Sequence, residues 1–328
     1  MNLFYTVNDA FVPQLGTAVT SVCENNRDAE EIRFYVGSLG IQPENISRLT
    51  ELVGRYGREI VFLPIGGLKE RLGFDFDTFG WNEVVLARLL VDRLLPETVH
   101  RVIYLDGDTI AVGSLRELWE TDLQGNTLGA SVEPTANRGR KRDLGLEGKP
   151  YYNAGVLLID LDRWKARKAA ERVLEFYRAH GGRLFANDQD AINGSLSEEI
   201  LTLSPKWNFY NIFWYYSYDA LVRISRPAPY LSREVFEDAA RDPRIIHYLG
   251  EDRPWRQGNT HRYTEDFEKY LAMTPWKDWP KETGWETYFR CYGAFWRVLR
   301  PFPLLQYHII DSLIPVVMKA RKRKREKA

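Results

Sequence analysis

The sequence predicts an α/β fold with a mostly parallel sheet. Short apolar runs of strand length alternate with longer stretches of helical periodicity through the first third of the chain, and prolines or glycines mark several helix ends. Strands separated by helices in this order form βαβ units, in which the strands are parallel. A length of 328 residues suffices for one large domain with an extension.

The individual elements follow from apolar runs and helix-boundary residues. Pro13 and Pro43 stand at the starts of two helices, and Pro96 ends a third. The predicted strands are 3–7, 32–36, 60–63, 102–105 and 155–159, and the predicted helices are 12–23, 43–56, 82–95 and 161–180.

The composition is that of a globular protein and excludes a wholly disordered or fibrous chain, with 44% hydrophobic and 27% charged residues. Forty-five basic residues balance 45 acidic ones, which argues against a general nucleic-acid binder. The balance hides an asymmetry, because residues 319–327 hold seven basic residues and one acidic residue. This basic tail is attached to a body with a net negative charge.

The two cysteines, Cys23 and Cys291, lie far apart and form no CxxC pair, so neither a zinc site nor a disulfide scaffold is indicated. The first residues lack the pattern of a signal peptide, and no stretch approaches the ~18 uninterrupted apolar residues of a membrane span. We therefore expect a cytoplasmic protein.

Two carboxylates follow the fourth predicted strand. Asp106 and Asp108 are two residues apart, so their side chains face the same side of an extended chain. Two adjacent anions are unfavourable unless a cation or a shared proton lies between them, and a hard divalent metal that also binds phosphate oxygens would serve. Gly107 would let a ligand approach the backbone. A solvated turn is the alternative, because Asp and Gly are common at strand ends.

Polar residues accompany other predicted strands as well. Ligands of such sheets bind beyond the carboxyl ends of the strands. Residues 6–11 end the first strand with hydrogen-bonding groups and an aromatic ring, Phe11, suited to stacking on a base. Asn153 puts an amide beside Gly155, a glycine that permits close approach.

Two further segments suit a ligand that consists of a metal and a nucleotide. Residues 187–190 form a polar cluster before a helix predicted to begin at Ala191, and His247 ends an apolar run shortly before Gly250 and Arg253. Each has an ordinary alternative. The cluster could be a helix N-cap region, and the histidine could be a surface residue at a strand end.

The segment 102–110 also resembles the first motif of haloacid-dehalogenase-type phosphatases, in which the first Asp is the nucleophile and the second is the acid and base. That motif normally lies near the start of its domain and is followed by a paired-acid metal motif. Here about a hundred residues precede it, and no such pair follows. The phosphatase is therefore kept as an alternative function.

Six matches in order along the chain resemble glycosyltransferase family 8, the group of glycogenin and of bacterial lipopolysaccharide and lipooligosaccharide galactosyl- and glucosyltransferases. They are VNDAF, Arg88, YLDGD, YYNAGVLLIDL, NDQDAINGSL and HYLGEDRPW, between residues 3 and 255. The resemblance implies a GT-A-type, Rossmann-like nucleotide-sugar-binding domain with a mixed central sheet over residues 1–270, and a small helical segment over 271–328. Arg88 alone could equally be a surface residue of an amphipathic helix.

The resemblance also implies a site for Mn²⁺, with Mg²⁺ possible, and for a UDP-sugar. The implied metal ligands are Asp106, Asp108 and His247. The implied nucleotide contacts are Thr6, Val7, Asn8 and Phe11 for uridine, Asp106 and Gly107 near the ribose, and Gly250 and Arg253 for the phosphates. The implied donor-sugar contacts are Arg88, Asn153, Asp188 and Gln189. Two positions depart from the family pattern, with Arg253 in place of the usual Lys and Phe11 in place of the usual Tyr.

The implied reaction is transfer of galactose or glucose from a UDP-hexose to a saccharide hydroxyl of a cell-envelope glycan, with retention of configuration. The position where a nucleophile would be expected holds Gln189, a poor nucleophile, with Asp188 beside it. We therefore favour front-side attack by the acceptor hydroxyl, with Gln189 stabilising positive charge on the sugar. A catalytically silent nucleotide-sugar-binding protein is a further alternative.

The C-terminal residues 271–328 combine aromatic residues, prolines and the basic run. Together with a resemblance to enzymes that build membrane glycans, this predicts docking on the anionic inner face of the cell membrane. A solubilising or RNA-binding tail is the alternative for the basic run alone. Pro301, Pro303 and Pro315 are expected to limit the helices here to short segments.

Overall fold

A computed structural model describes residues 1–226, 228 and 230–325, with side chains described up to residue 317. The strands are β1 (Asn2–Asn8), β2 (Arg33–Leu39), β3 (Glu59–Pro64), β4 (Arg101–Leu105), β5 (Thr109–Ala111), β6 (Leu128–Val132), β7 (Tyr152–Asp160), β8 (Ile200–Leu203) and β9 (Ile245–His247). The helices are α1 (Val12–Asn25), α2 (Pro43–Gly54), α3 (Leu68–Leu72), α4 (Val91–Leu94), α5 (Arg116–Glu120), α6 (Arg138–Asp143), α7 (Leu161–Ala166), α8 (Ala169–Ala179), α9 (Asn187–Leu196), α10 (Ile212–Tyr215), α11 (Tyr218–Ser225), α12 (Arg233–Arg241), α13 (Thr264–Leu271), α14 (Glu286–Leu299) and α15 (Pro303–Arg325).

A seven-stranded mixed sheet forms the centre of the fold, in the order β3-β2-β1-β4-β7-β6-β8. The pairs β1–β2, β2–β3, β1–β4 and β6–β8 are parallel, whereas β7 is antiparallel to β4 and to β6. The predicted α/β class and mixed central sheet are therefore confirmed. All five predicted strands are present.

Both faces of the sheet are buried. Successive side chains of a strand point to opposite faces, and in β1 Phe4 packs into one apolar cluster while Leu3 and Tyr5 pack into another. A third cluster, rich in aromatic rings, surrounds Ile246 of β9. The carboxyl ends of β1 and β4 are thus held by packing on both sides.

A two-stranded antiparallel sheet of β5 and β9 lies next to the end of β4. Its register places Thr109 opposite His247. Since β5 follows Asp108 directly, this pairing brings a histidine from late in the chain to the carboxylate pair.

Two predicted helices differ from expectation. Residues Glu83–Leu90 form a 3₁₀ helix that continues into α4, and nearly every residue from Val84 to Leu90 is buried, so no single exposed face imposes the α-helical period. The predicted helix 161–180 is two helices, α7 and α8, because Lys168 adopts a left-handed conformation with φ of 51°.

The expectation of short C-terminal segments is wrong. Helix α14 has 14 residues, and α15 has 23 and runs through Pro315. Pro315 is exposed, so water can solvate the carbonyl that loses its backbone donor. The backbone of the basic run is helical up to Arg325, but its side chains lie outside the described part. Within the described residues, no helix has both the length and the hydrophobicity that crossing a membrane requires.

Candidate functional site

Asp106, Asp108 and His247 form a compact cluster at the carboxyl end of β4. One ligand atom from each lies within 4.8 Å of the others. His247 Nε2 is 3.3 Å from Asp108 Oδ1 and 3.9 Å from Asp106 Oδ2. Two carboxylates and an imidazole are a donor set compatible with a divalent metal. The structure thus brings together the three residues that the sequence analysis expected to bind metal.

The cluster is neither a solvated turn nor a surface histidine. His247 is 2% exposed, and the Asp108 side chain is 11% exposed. Burial alone would raise the pKa of Asp108. When the His247 ring is protonated, its charge and its hydrogen bond from Nε2, together with the charge of Arg253, outweigh burial and lower that pKa. Asp108 is therefore held as a carboxylate.

Arg88 connects the carboxylate pair to helix α9. It is 6% exposed, so it is no surface arginine of an amphipathic helix. Its guanidinium donates to Asp106 Oδ1 at 2.7 Å and to the Ala154 carbonyl at 2.7 Å, and its Nε lies 3.0 Å from Asp188 Oδ2. One buried cation thus links carboxylates from β4 and α9.

Asp188 and Gln189 lie in the first turn of α9, which begins at Asn187 rather than at the predicted Ala191. Burial raises the pKa of Asp188 to about 7, and Asp106 adds to this effect while Arg88 opposes it. From this turn Asp188 reaches Arg88, and Gln189 reaches the backbone of β7 at Ala154.

The Gln189 amide is held by three neighbours. Its Oε1 accepts a hydrogen bond from the Ala154 N–H at 2.9 Å, and its Nε2 donates to Glu133 Oε2 and to the Tyr151 hydroxyl at 3.0 Å each. Glu133 and Tyr151 were not identified from the sequence. Glu133 follows strand β6, and this position at a strand end is the one signal that could have indicated it.

A hydrogen-bonded set of amides supports His247 from behind. His247 Nδ1 lies 2.9 Å from Asn208 Oδ1, and Asn208 Nδ2 donates to Asn153 Oδ1 at 2.8 Å. Asn153 in turn donates to Glu133 Oε2 at 3.0 Å. Asn208 was also missed, since it stands in an irregular segment without a motif.

The predicted nucleotide contacts also gather at the end of β1. Thr6 hydrogen-bonds the Tyr104 hydroxyl, which donates to Asp106 Oδ1. Gly107 lies so close to Val7 and Phe11 that a Cβ atom there would come within 2.9 Å of Val7 Cγ1 and 3.0 Å of Phe11 Cδ1. Asn8 ends the strand.

Arg253 joins the cluster next to Phe11. Its guanidinium donates to Asp108 Oδ2 at 3.0 Å and lies 5.9 Å from the centre of the Phe11 ring and 5.4 Å from that of Trp255. Gly250, three residues earlier, has a positive φ of 77°, which favours glycine. The site therefore brings carboxylates, an imidazole and an arginine together, an arrangement suited to a metal and an anionic ligand.

The chain is similar in sequence to several known proteins. General stress protein A of Bacillus subtilis is 26% identical over 281 residues, 84% of this chain and 94% of that one. The lipopolysaccharide 1,2-glucosyltransferase of Escherichia coli is 24% identical over 283 residues, 85% of this chain and 79% of that one.

A solved structure shares the fold. The galactosyltransferase LgtC, crystallised with donor and acceptor sugar analogues, superposes with a TM-score of 0.71 at 24% identity over 88% of this chain and 99% of its own. The GT-A fold expected from the resemblance is confirmed. Residues 2–258 match the family described as Glycosyl transferase family 8. This match spans most of the sequence, and the chain belongs to that family.

Proposed function

We propose that this protein is a retaining, metal-dependent hexosyltransferase that moves galactose or glucose from a UDP-hexose to a hydroxyl group of a glycan. The observation that carries the proposal is the cluster of Asp106, Asp108 and His247 beside Arg253. Family membership supports the transferase over the phosphatase alternative.

The side chains of the cluster fit a divalent metal. Two carboxylate oxygens and one imidazole nitrogen converge, and the second ring nitrogen of His247 is engaged by Asn208. This set suits Mn²⁺ and is acceptable to Mg²⁺. A bound metal would neutralise the charge that develops on the leaving diphosphate.

The donor would lie between the ends of β1 and β4 and the segment after β9. Phe11 would stack on the uracil, with Thr6, Val7 and Asn8 beside it, and Asp106 and Gly107 would meet the ribose. Gly250 and Arg253 would contact the phosphates, and Arg253 would then exchange its bond to Asp108 for phosphate oxygens. Arg88, Asn153, Asp188 and Gln189 would surround the sugar.

Gln189 is suited to stabilising charge rather than to attacking the sugar. Both hydrogens of its amide are donated, to Glu133 and Tyr151, and its oxygen accepts one bond from the backbone. A second lone pair of that oxygen stays available for a positively charged sugar carbon. Asp188 is paired with Arg88, which disfavours it as a nucleophile.

We therefore infer front-side substitution. The bond from the anomeric carbon to the UDP oxygen breaks, the bond to the acceptor oxygen forms on the same face, and the acceptor proton passes to the departing phosphate. A sugar adduct trapped on Asp188 or Gln189 would contradict this mechanism.

The acceptor is inferred from relatives. Two of them are a lipopolysaccharide 1,2-glucosyltransferase and a lipopolysaccharide 1,3-galactosyltransferase, so we propose a saccharide or glycolipid of the cell envelope. We also propose a catalytic domain of residues 1–270 and a membrane-attachment segment of residues 271–328, whose basic run would hold the enzyme on the cytoplasmic face of the membrane.

A UDP-release assay tests the proposal. Wild type and Asp108→Ala would be incubated with UDP-galactose, UDP-glucose and UDP-N-acetylglucosamine, with Mn²⁺ or with EDTA. Slow release from one hexose donor that EDTA and the substitution abolish would support the function and identify the sugar. Binding of UDP-sugar without release, even with acceptor glycans, would point to a silent binding protein. Release of phosphate from sugar phosphates would point to the phosphatase.

A further inference from the structure

We propose that Asn208 is a positioning residue that fixes which ring nitrogen of His247 carries the hydrogen. The inference rests on the metal site of the proposed function and deepens it. It follows from the directions of four hydrogen bonds. Three of them run from the backbone of β7 to the imidazole, and the fourth joins Asn153 to Glu133. These directions leave the lone pair of the neutral ring on the nitrogen that faces the carboxylates.

The chain of hydrogen bonds begins with two groups that cannot reverse their roles. The Gly155 N–H donates to Asn153 Oδ1 at 2.9 Å, and Asn153 Nδ2 lies 3.0 Å from Glu133 Oε2. A backbone N–H can only donate, and an ionised carboxylate can only accept. The orientation of the Asn153 amide is therefore fixed from both ends.

Asn208 passes this orientation to the histidine. Asn153 Oδ1 must be met by a donor, so the Asn208 atom 2.8 Å from it is the amide nitrogen. The amide oxygen of Asn208 then faces His247 Nδ1 at 2.9 Å. Because that oxygen can only accept, Nδ1 must carry the hydrogen.

The consequence falls on the other ring nitrogen. A neutral imidazole with its hydrogen on Nδ1 has its lone pair on Nε2, the atom that faces Asp108 at 3.3 Å. Asn208 is fully buried and His247 is 2% exposed, so bulk water cannot offer Nδ1 a different partner. Partners of this kind typically change metal affinity 10- to 100-fold when removed.

Metal binding by the full chain tests the role of Asn208. Free Mn²⁺ would be followed by electron paramagnetic resonance during titration, with Mn²⁺ alone and with UDP added. Asn208→Leu is expected to raise the dissociation constant for Mn²⁺ about 10- to 100-fold. Asn208→Asp keeps an acceptor for Nδ1 and is expected to restore the affinity to within a few-fold of wild type.

Asn26→Leu is the matched control. Asn26 is also buried and hydrogen-bonded through both ends of its amide, to Val22 O and to the Leu115 N–H, but it lies outside the site. It is expected to cost stability without changing the affinity for Mn²⁺. Equal losses in Asn208→Leu and Asn26→Leu would overturn the proposal.

The tautomer itself can be read by ¹⁵N NMR of histidine-labelled protein, at a pH where the ring is neutral. The His247 signals, identified by their loss in His247→Ala, should show hydrogen on Nδ1 in wild type and on Nε2 in Asn208→Leu. Hydrogen on Nε2 in wild type would overturn the inference. Absence of Mn²⁺ binding by wild type would overturn the proposed metal site instead, and the wild-type spectrum would still decide the role of Asn208.

Discussion

His247 lies against the backbone of Gly155 so closely that no side chain fits between them. An ideal Cβ atom on Gly155 would lie 2.3 Å from His247 Cε1 and 2.8 Å from its Nδ1. Gly155 belongs to β7, which pairs with the strand that leads to Asp106, and its carbonyl accepts the Asp106 N–H. The absence of a side chain therefore allows the imidazole to reach the carboxylates.

Gly155→Ala is expected to displace His247 and to impair the metal site. The added methyl group would overlap the imidazole, so the buried ring must move away from β7. We expect Mn²⁺-dependent UDP release to fall more than tenfold and the free energy of unfolding to fall by about 1–3 kcal/mol, as in other overpacked sites. Steady-state kinetics and urea denaturation would measure the two effects. Gly54→Ala is the control, since a methyl group there meets nothing within 4 Å. Unchanged Mn²⁺ dependence in Gly155→Ala would contradict the tight fit.

Glu133→Gln is expected to lower the turnover number. One carboxylate oxygen accepts hydrogen bonds from both Asn153 and Gln189, and the substitution replaces two bonds to a charged group by neutral ones. The difference is about 1–2 kcal/mol, which corresponds to about a tenfold loss of kcat with little change in KM for the donor. Kinetics with saturating acceptor would measure it. Glu97→Gln, at an exposed position, should leave both kcat and KM unchanged. If Glu133→Gln changes only KM for the donor, Glu133 contacts the donor itself and does not act through Gln189.

The carboxylate pair was predictable because it directly follows a strand that the sequence reveals as one continuous apolar run. The same holds for Gly155 and for the polar residues after β1. By contrast, the approach of His247 depends on the pairing of β5 with β9, which joins distant parts of the chain. His247 was assigned to the metal site from the family resemblance, because the periodicity of the sequence does not indicate it.

Residues that act through other residues could not be found in the sequence. Asn208 and Glu133 are identifiable only from the direction of their hydrogen bonds, which no spacing encodes. The C-terminal helix was missed for a different reason. Pro315 disfavours an α-helix locally, but a single exposed proline is outweighed by the cooperativity of the turns on either side.

His261 is expected to make stability depend on pH. The side chain is 4% exposed, and its Nδ1 accepts a hydrogen bond from the Tyr263 N–H. Burial lowers its pKa from 6.5 to about 4, although Asp252 opposes the shift. Between these values the unfolded chain binds a proton that the native chain does not. The contribution of His261 to stability is thus complete above about pH 6.5 and is lost as the pH falls toward 4, in total about 3 kcal/mol.

His261→Asn provides the comparison, because its amide oxygen can still accept the Tyr263 N–H. Free energies of unfolding from urea titrations at pH 7.5, 6 and 5 should fall more steeply for wild type than for the variant. Parallel pH profiles would show that the ring is protonated equally in both states.

An exposed apolar stripe on α15 is expected to insert into an anionic bilayer. Leu305, Leu313 and Val316 are 52%, 51% and 63% exposed, and their spacing of eight and three residues puts them on one face of the helix. The basic run that follows adds attraction to anionic lipid, of about 1 kcal/mol per Lys or Arg near the surface. Burial of each apolar side chain adds about 1.5–3 kcal/mol at most. Neither contribution alone gives firm attachment, so we expect both to be required.

Sedimentation with vesicles of phosphatidylcholine and phosphatidylglycerol tests this. Leu313→Asp with Val316→Asp should lower the fraction bound at least tenfold, and high salt should weaken wild type further. Leu313→Ser with Val316→Ser removes the same apolar side chains without adding charge, so it should lower the fraction bound nearly as far. If this uncharged double variant binds like wild type, attachment is electrostatic alone, and the stripe serves another surface. If the double variant still binds at high salt, neither apolar insertion nor electrostatic attraction holds α15 on lipid, and the prediction is wrong.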